Sequence, residues 1–147
     1  MRSFKVYFGF LIFFYFGLVT AQEEHKISIL IDTKNASPEN TIQWSTGENT
    51  KVLDSGEEDP FTFFAQVGDH IRWDAMSLTE PDVPILITSL QYIRGPRIFS
   101  KNLLSGTADT EATVIRGGKE YYIYELKFRI GKAGRVHQIT SRIRVGD

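Results

Sequence analysis

Apolar and polar residues alternate in short runs along most of the chain, and clusters of Gly, Pro, Asn and Asp separate the runs. A period of two puts alternate side chains on opposite faces, so the pattern predicts β-strands with one buried face each. Residues 26–33 place Ile27, Ile29 and Ile31 on one such face. Shorter strands are expected at 41–45, around Trp44, and at 51–54. The acidic turn Gly56-Glu57-Glu58-Asp59-Pro60 leads into a strand at 61–67. Gly68-Asp69 is a turn pair, and the strand after it, at 70–76, carries Ile71, Trp73 and Ala75 on one face. Residues 35–40 and the Pro- and acid-rich 79–84 read as loops. Residues 85–93 are apolar enough for a buried central strand, which Arg94-Gly95-Pro96 ends. From 100 to 112 the pattern fades into polar and small residues, which predicts a long loop or an edge excursion.

The clearest element is a closing hairpin. Tyr122, Tyr124, Leu126, Phe128 and Ile130 alternate with Tyr121, Ile123, Glu125, Lys127 and Arg129, and Gly131-Lys132-Ala133-Gly134 supplies the turn. Symmetric closure pairs Phe128 with His137, Leu126 with Ile139, Tyr124 with Ser141 and Tyr122 with Ile143, which sets the two apolar faces side by side. The opposite face carries Tyr121, Lys127, Arg129, Arg142 and Arg144. Together the elements predict an all-β chain, a single antiparallel β-sandwich of about seven or eight strands with Greek-key connections. A closed barrel is the alternative. Trp44, Trp73, Phe61, Phe63, Leu126 and Phe128 are the expected core.

Composition agrees with this. Beyond residue 21, Ile, Val and Thr number 31 against 14 Ala and Leu, and side chains stiff at χ1 suit a pleated surface. The first 21 residues break the pattern. Arg2 and Lys5 precede an apolar run at 6–19, and Val19-Thr20-Ala21 is a small-residue cleavage site. This predicts a signal peptide over 1–21 and a β-sandwich domain over 22–147. The run is shorter than the roughly 20 residues that span a bilayer, so no stable membrane anchor is expected. The chain has no Cys, which removes disulfides, thiol nucleophiles, thiolate zinc sites and Cys-ligated copper. Export without disulfides predicts a bacterial periplasmic or secreted protein.

Charge narrows the partners. Beyond the leader, 15 basic residues stand against 18 acidic ones, which argues against nucleic acid. Residues 22–82 hold 13 acids and 4 bases, whereas 83–147 hold 5 acids and 11 bases. The basic hairpin face of Tyr121, Lys127, Arg129, Arg142 and Arg144 is therefore the candidate ligand-binding surface, suited to an anionic glycan, a lipid headgroup or an acidic protein. The competing reading is a solvated face that deters edge pairing.

Other candidate chemistry is sparse. His25, His70 and His137 form no ligand spacing, so neither a metal nor another cofactor is expected. No Gly-x-Ser-x-Gly context favours a Ser-His-acid triad. Asp54, Glu57, Glu58 and Asp59 offer oxygen ligands for Ca²⁺ but lack the spacing of a calcium loop, so a solvated turn is the expectation. Asn35-Ala36-Ser37 fits a glycosylation sequon.

Three stretches carry a resemblance. The opening Ile27-Ser28-Ile29-Leu30-Ile31-Asp32-Thr33, the central Val67-Gly68-Asp69-His70-Ile71-Arg72-Trp73, and the closing hairpin from Tyr121 to Phe128 and from His137 to Val145 resemble the inclusion-body protein family of the PixA/AidA type. Thr140-Ser141 stands where that family usually has Asp-Pro. The resemblance implies a non-enzymatic β-sandwich more than it implies a ligand; the family's role is poorly defined, with sugar binding among the possibilities. Gly68 to Trp73 is also similar to the strand before the first copper ligand of cupredoxins, which implies a cupredoxin-like or Ig-like sandwich without the metal.

The function expected from all of this is an exported, non-catalytic binding or accessory domain, with lectin-like sugar binding as its most concrete form. An exposed Tyr or Trp beside polar loop residues would support that form. The alternative is a small hydrolase or a metal-binding sandwich whose site has no sequence signature.

Overall fold

The computed structural model describes residues 21–106 and 110–146. The predicted leader, apart from Ala21, lies outside the described residues. Ten strands form: β1 (Glu24–Ile31), β2 (Gln43–Thr46), β3 (Lys51–Asp54), β4 (Thr62–Gln66), β5 (His70–Ser77), β6 (Ile85–Arg94), β7 (Leu103–Ser105), β8 (Thr110–Thr113), β9 (Tyr122–Ile130) and β10 (Val136–Gly146). Among the described residues one 3-10 turn forms, Pro38–Thr41, in the expected 35–40 loop and the first residue of the strand expected at 41–45.

The strands make two sheets, one of order β2-β1-β5-β8 and one of order β3-β4-β10-β9-β6-β7. Both sheets are mixed, because β1 runs parallel to β5 and β4 runs parallel to β10. This corrects the expected antiparallel sandwich of seven or eight strands. A parallel pair needs a long crossover, and strands of the other sheet supply it: the chain leaves β1 and β2, builds β3 and β4, then returns as β5. Alternation along a strand is the same whichever way its neighbour runs, so this pairing left no trace in the pattern. The two extra strands, β7 and β8, lie mainly in the 100–112 segment expected to be loop. They span 3 and 4 residues, Leu-Leu-Ser and Thr-Glu-Ala-Thr, in which no large apolar residue alternates with a polar one.

The hairpin register is the predicted one, with Phe128 opposite His137, Leu126 opposite Ile139, Tyr124 opposite Ser141 and Tyr122 opposite Ile143. Its apolar face meets Ile27, Ile29, Ile31, Ile71 and Trp73 of the other sheet in one core. Trp73 Nε1 donates to the Tyr124 hydroxyl at 3.1 Å, which ties the sheets together through a polar contact inside the core. Burial pushes the Tyr124 hydroxyl up to about 12 and raises Tyr122 as well, so both remain neutral phenols. Ser141 is fully buried and donates to the Phe61 carbonyl at 2.8 Å.

β6 is not buried on both faces as expected. Ile85, Ile87 and Leu90 are buried, whereas Gln91, Ile93 and Arg94 are exposed. A register shift against β9 between Ile87 and Ser89 explains why the buried set changes from odd to even numbers.

Candidate functional site

A cleft of about 430 Å³ opens on the described surface. The 3-10 turn contributes Glu39 and Asn40, β2 contributes Trp44, the connection before β4 contributes Gly56 to Phe61, and β10 contributes Ile139 and Thr140. Trp44 was expected in the core, but it sits half-buried at the core's edge. Its ring lies parallel to the buried Phe61 ring, with centroids 4.4 Å apart and planes 6° apart. Gly56 has φ +89°, and a Cβ there would come within 3.2 Å of Trp44 Cδ1 and Nε1 and of Phe61 Cβ. The connection closes over the stacked pair only because that residue is Gly.

Carboxylates share the cleft with the indole. Glu57, Glu58 and Asp59 of the acidic turn line the cleft with Glu39. Asp54 serves the turn itself, since its Oδ1 accepts from the Gly56 N–H at 2.9 Å. Glu39 faces His137 Nδ1 at 2.8 Å, and His137 packs flat against Phe128 with centroids 5.2 Å apart. The Glu39 carboxyl is held below the usual carboxylate range, first by a backbone hydrogen bond and then by His137 and Arg135, against an opposing effect of burial.

The residues of the basic hairpin face have different neighbours. Lys127 Nζ lies 3.5 Å from Glu125. Arg144 donates to the Gly118 carbonyl. Arg129 is at the turn end of β9, opposite Val136 and Leu86. Tyr121 and Arg142 do come together, with the guanidinium 4.9 Å from the ring centroid. They line a separate cavity of about 390 Å³ with Arg94, Gly95, Glu120 and Ile123.

The three histidines occupy three different settings. His70 lies at the surface, 3.2 Å from Glu111 and from Thr113. His25 is buried, with Nε2 2.8 Å from Asp69 Oδ2 and Nδ1 2.9 Å from the Thr50 hydroxyl. That order of hydroxyl, imidazole and carboxylate resembles a triad, but Thr50 is buried and does not line the cavity beside His25. Asp69 also accepts the backbone N–H groups of Gln66 and Glu23, at 2.8 and 3.1 Å. The cluster pins the start of β1 to the β4–β5 turn. Among the described residues, no group of three or more His, Asp or Glu gathers in a way that could hold a metal ion. Asn35 of the sequon lies in an exposed loop, where its Oδ1 accepts from the Ser37 N–H at 2.9 Å.

No protein-family model and no curated protein matches the sequence. Among solved structures, the chain is similar to the crystal structure of an inclusion body protein, PixA, from Burkholderia cenocepacia J2315. The TM-score is 0.63 at 16% identity, over 88% of this chain and 99% of that one. The fold is that of an inclusion body protein. The multicopper oxidase McoA from the hyperthermophile Aquifex aeolicus aligns over 85% of this chain and 30% of its own, at 12% identity and a TM-score of 0.33. The inclusion-body-protein fold accounts for all three stretches that carried the resemblance: the first strand becomes β1, the Gly68-Asp69 segment becomes the turn into β5, and the last becomes β9 and β10.

The sequence did not single out the Trp44 cleft as a site, because its walls come from four segments that only the fold assembles. One signal was present: an acidic turn with a Gly, followed by an aromatic residue, in a chain where most aromatics sit in alternating strands.

Proposed function

We propose that this chain is an exported, non-catalytic binding domain that holds a saccharide in the Trp44 cleft. The observation that carries this reading is a half-buried indole, backed by Phe61, inside a cleft whose rim is Asn40, Glu57, Glu58 and Asp59. A sugar ring presents a C–H face to an aromatic plane and hydroxyl donors to carboxylate and amide oxygens, and this rim supplies both. Phe61 already fixes the indole plane, so little ordering cost remains for binding. The density of carboxylates favours a neutral or amine-bearing sugar at this position over an anionic one.

Catalysis finds little support in the same residues. Glycoside hydrolysis needs a carboxylic acid held protonated beside a second carboxylate, and Glu39 is shifted the other way. A hydrolase built on Thr50, His25 and Asp69 would need a reachable hydroxyl, and Thr50 is buried.

A glycan-array screen of residues 22–147 tests the proposal. It should return saccharide ligands whose signal falls about tenfold or more in Trp44→Ala, the loss expected when an aromatic contact worth roughly 1.4 kcal/mol or more is removed. An array without ligands, or one on which Trp44→Ala performs like wild type, would overturn it.

Export is the second part of the proposal, with the periplasm or the medium as destination. It rests on the basic start, the apolar run and the Ala21 boundary. Protein recovered outside the cytoplasm should begin at Gln22. Intact Met1 in that fraction would contradict the cleaved leader.

A further inference from the structure

We infer that the cavity between Arg94 and Arg142 is a second binding site, which takes the acidic group of a carboxylated or sulfated saccharide. Ile123 on β9 pairs with Arg94 on β6 and with Arg142 on β10, so the three side chains form a row across three adjacent strands. Strand spacing of about 4.8 Å puts the two arginine Cα atoms roughly 10 Å apart, with Ile123 as the floor between them. The register shift between Tyr92 and Arg94 brings Arg94 into this row. Gly95, with φ +99°, lets β6 end directly against Tyr121: a Cβ there would fall 1.9 Å from the Tyr121 carbonyl oxygen.

Arg142 is held in place before any ligand arrives. Its Nε donates to Thr62 Oγ1 at 2.9 Å, and its guanidinium rests on Tyr121. Among the described residues, neither Arg94 nor Arg142 forms an ion pair, in contrast to Lys127 with Glu125 and Arg72 with Glu24 and Glu111. Two guanidinium groups without carboxylate partners, flanking Ile123 in one cavity, can each donate paired N–H groups to two oxygens of a carboxylate or a sulfate. Glu120 also lines the cavity. One carboxylate against two guanidiniums leaves the site positive, and it gives sugar hydroxyls an acceptor that a bare inorganic anion cannot use. The site is independent of the Trp44 cleft, although Thr62, which anchors Arg142, directly follows Phe61, which lines that cleft.

The test is calorimetric titration of residues 22–147 with a heparin-derived tetrasaccharide and, separately, with inorganic sulfate. The tetrasaccharide should bind saturably, more weakly at physiological than at low salt. Arg94→Ser should reduce its affinity about tenfold or more, whereas Arg129→Ser and Trp44→Ala should stay within about twofold of wild type. Arg94 is exposed, so its replacement leaves the fold intact. In NMR spectra of the wild type, the Arg142 Nε–H and Tyr121 ring signals should shift with saturation. Equal losses in Arg94→Ser and Arg129→Ser would reveal a diffuse basic face and overturn the assignment. So would binding that survives Arg94→Ser, binding lost in Trp44→Ala, or the absence of saturation. Sulfate that binds as tightly as the tetrasaccharide would overturn the saccharide class.

Discussion

Replacing Asp69 with Ala should lower the free energy of unfolding by about 3–5 kcal/mol, read as a fall in the urea midpoint at unchanged slope. The reason lies in the number of donors that one side chain satisfies. Asp69 accepts from the backbone N–H of Glu23 and Gln66 and bonds His25 Nε2, all at 2.8 to 3.1 Å. Asp69 is 4% exposed and His25 2%. Each buried group left unpaired costs about 1–3 kcal/mol, and water entering from the neighbouring cavity of about 210 Å³ offsets part of that. Asp69→Asn keeps an acceptor oxygen and should cost about half as much. Thr50→Val removes a single partner of His25 and should cost least. A loss below about 1 kcal/mol in Asp69→Ala would show that the cluster does not hold β1 to the β4–β5 turn.

The second large effect is expected at Phe128. Its side chain is fully buried, opposite Ile87 on β6 and His137 on β10. Phe128→Ala removes the whole ring from a site closed on both sides by neighbouring strands. The expected loss is about 3–5 kcal/mol, transfer and cavity contributions together. The adjacent Lys127 points to the other face, where its pairing with Glu125 at 3.5 Å is partly solvated. Lys127→Ser should change stability by no more than about 1 kcal/mol. Thermal or urea unfolding of the pair checks the register itself. Comparable losses at the two positions would mean that the faces of β9 are not as paired.

Where the chain alternated over eight or more residues, the sequence was sufficient. The register of β9 and β10 followed from one turn length and one pattern, because a slip by one residue would have moved His137, Ile139 and Ser141 to the wrong face. β3 was read at its observed bounds, and β1 and β5 within a residue or two. Three things were not legible. Parallel pairing of β1 with β5 depends on the crossover through the other sheet, not on either strand's own residues. β7 and β8 are edge strands of 3 and 4 residues, which gain their order from β6 and β5 rather than from a period. The fate of each basic side chain on the hairpin depended on partners distant in sequence: Gly118 for Arg144, and Thr62 for Arg142. Only two of the five residues proposed from the hairpin, Tyr121 and Arg142, share a cavity, and the Arg94 that completes it had been read as the end of a strand.

The same limit applied to the Trp44 cleft. Aromatic content marks a core on average, and Trp44 does touch the core through Phe61. Its place in a cleft becomes visible only when β10 and the 3-10 turn close around it.

If Trp44 receives the saccharide, its fluorescence is a direct reporter, since the chain's only other tryptophan, Trp73, is fully buried and hydrogen-bonded to Tyr124. Titration of residues 22–147 with the strongest array saccharide should change the intrinsic fluorescence saturably in wild type. In Trp44→Phe the change should vanish, while the emission of Trp73 stays as it was. Calorimetry showing that the saccharide binds with full affinity while Trp44 fluorescence does not respond would contradict the account.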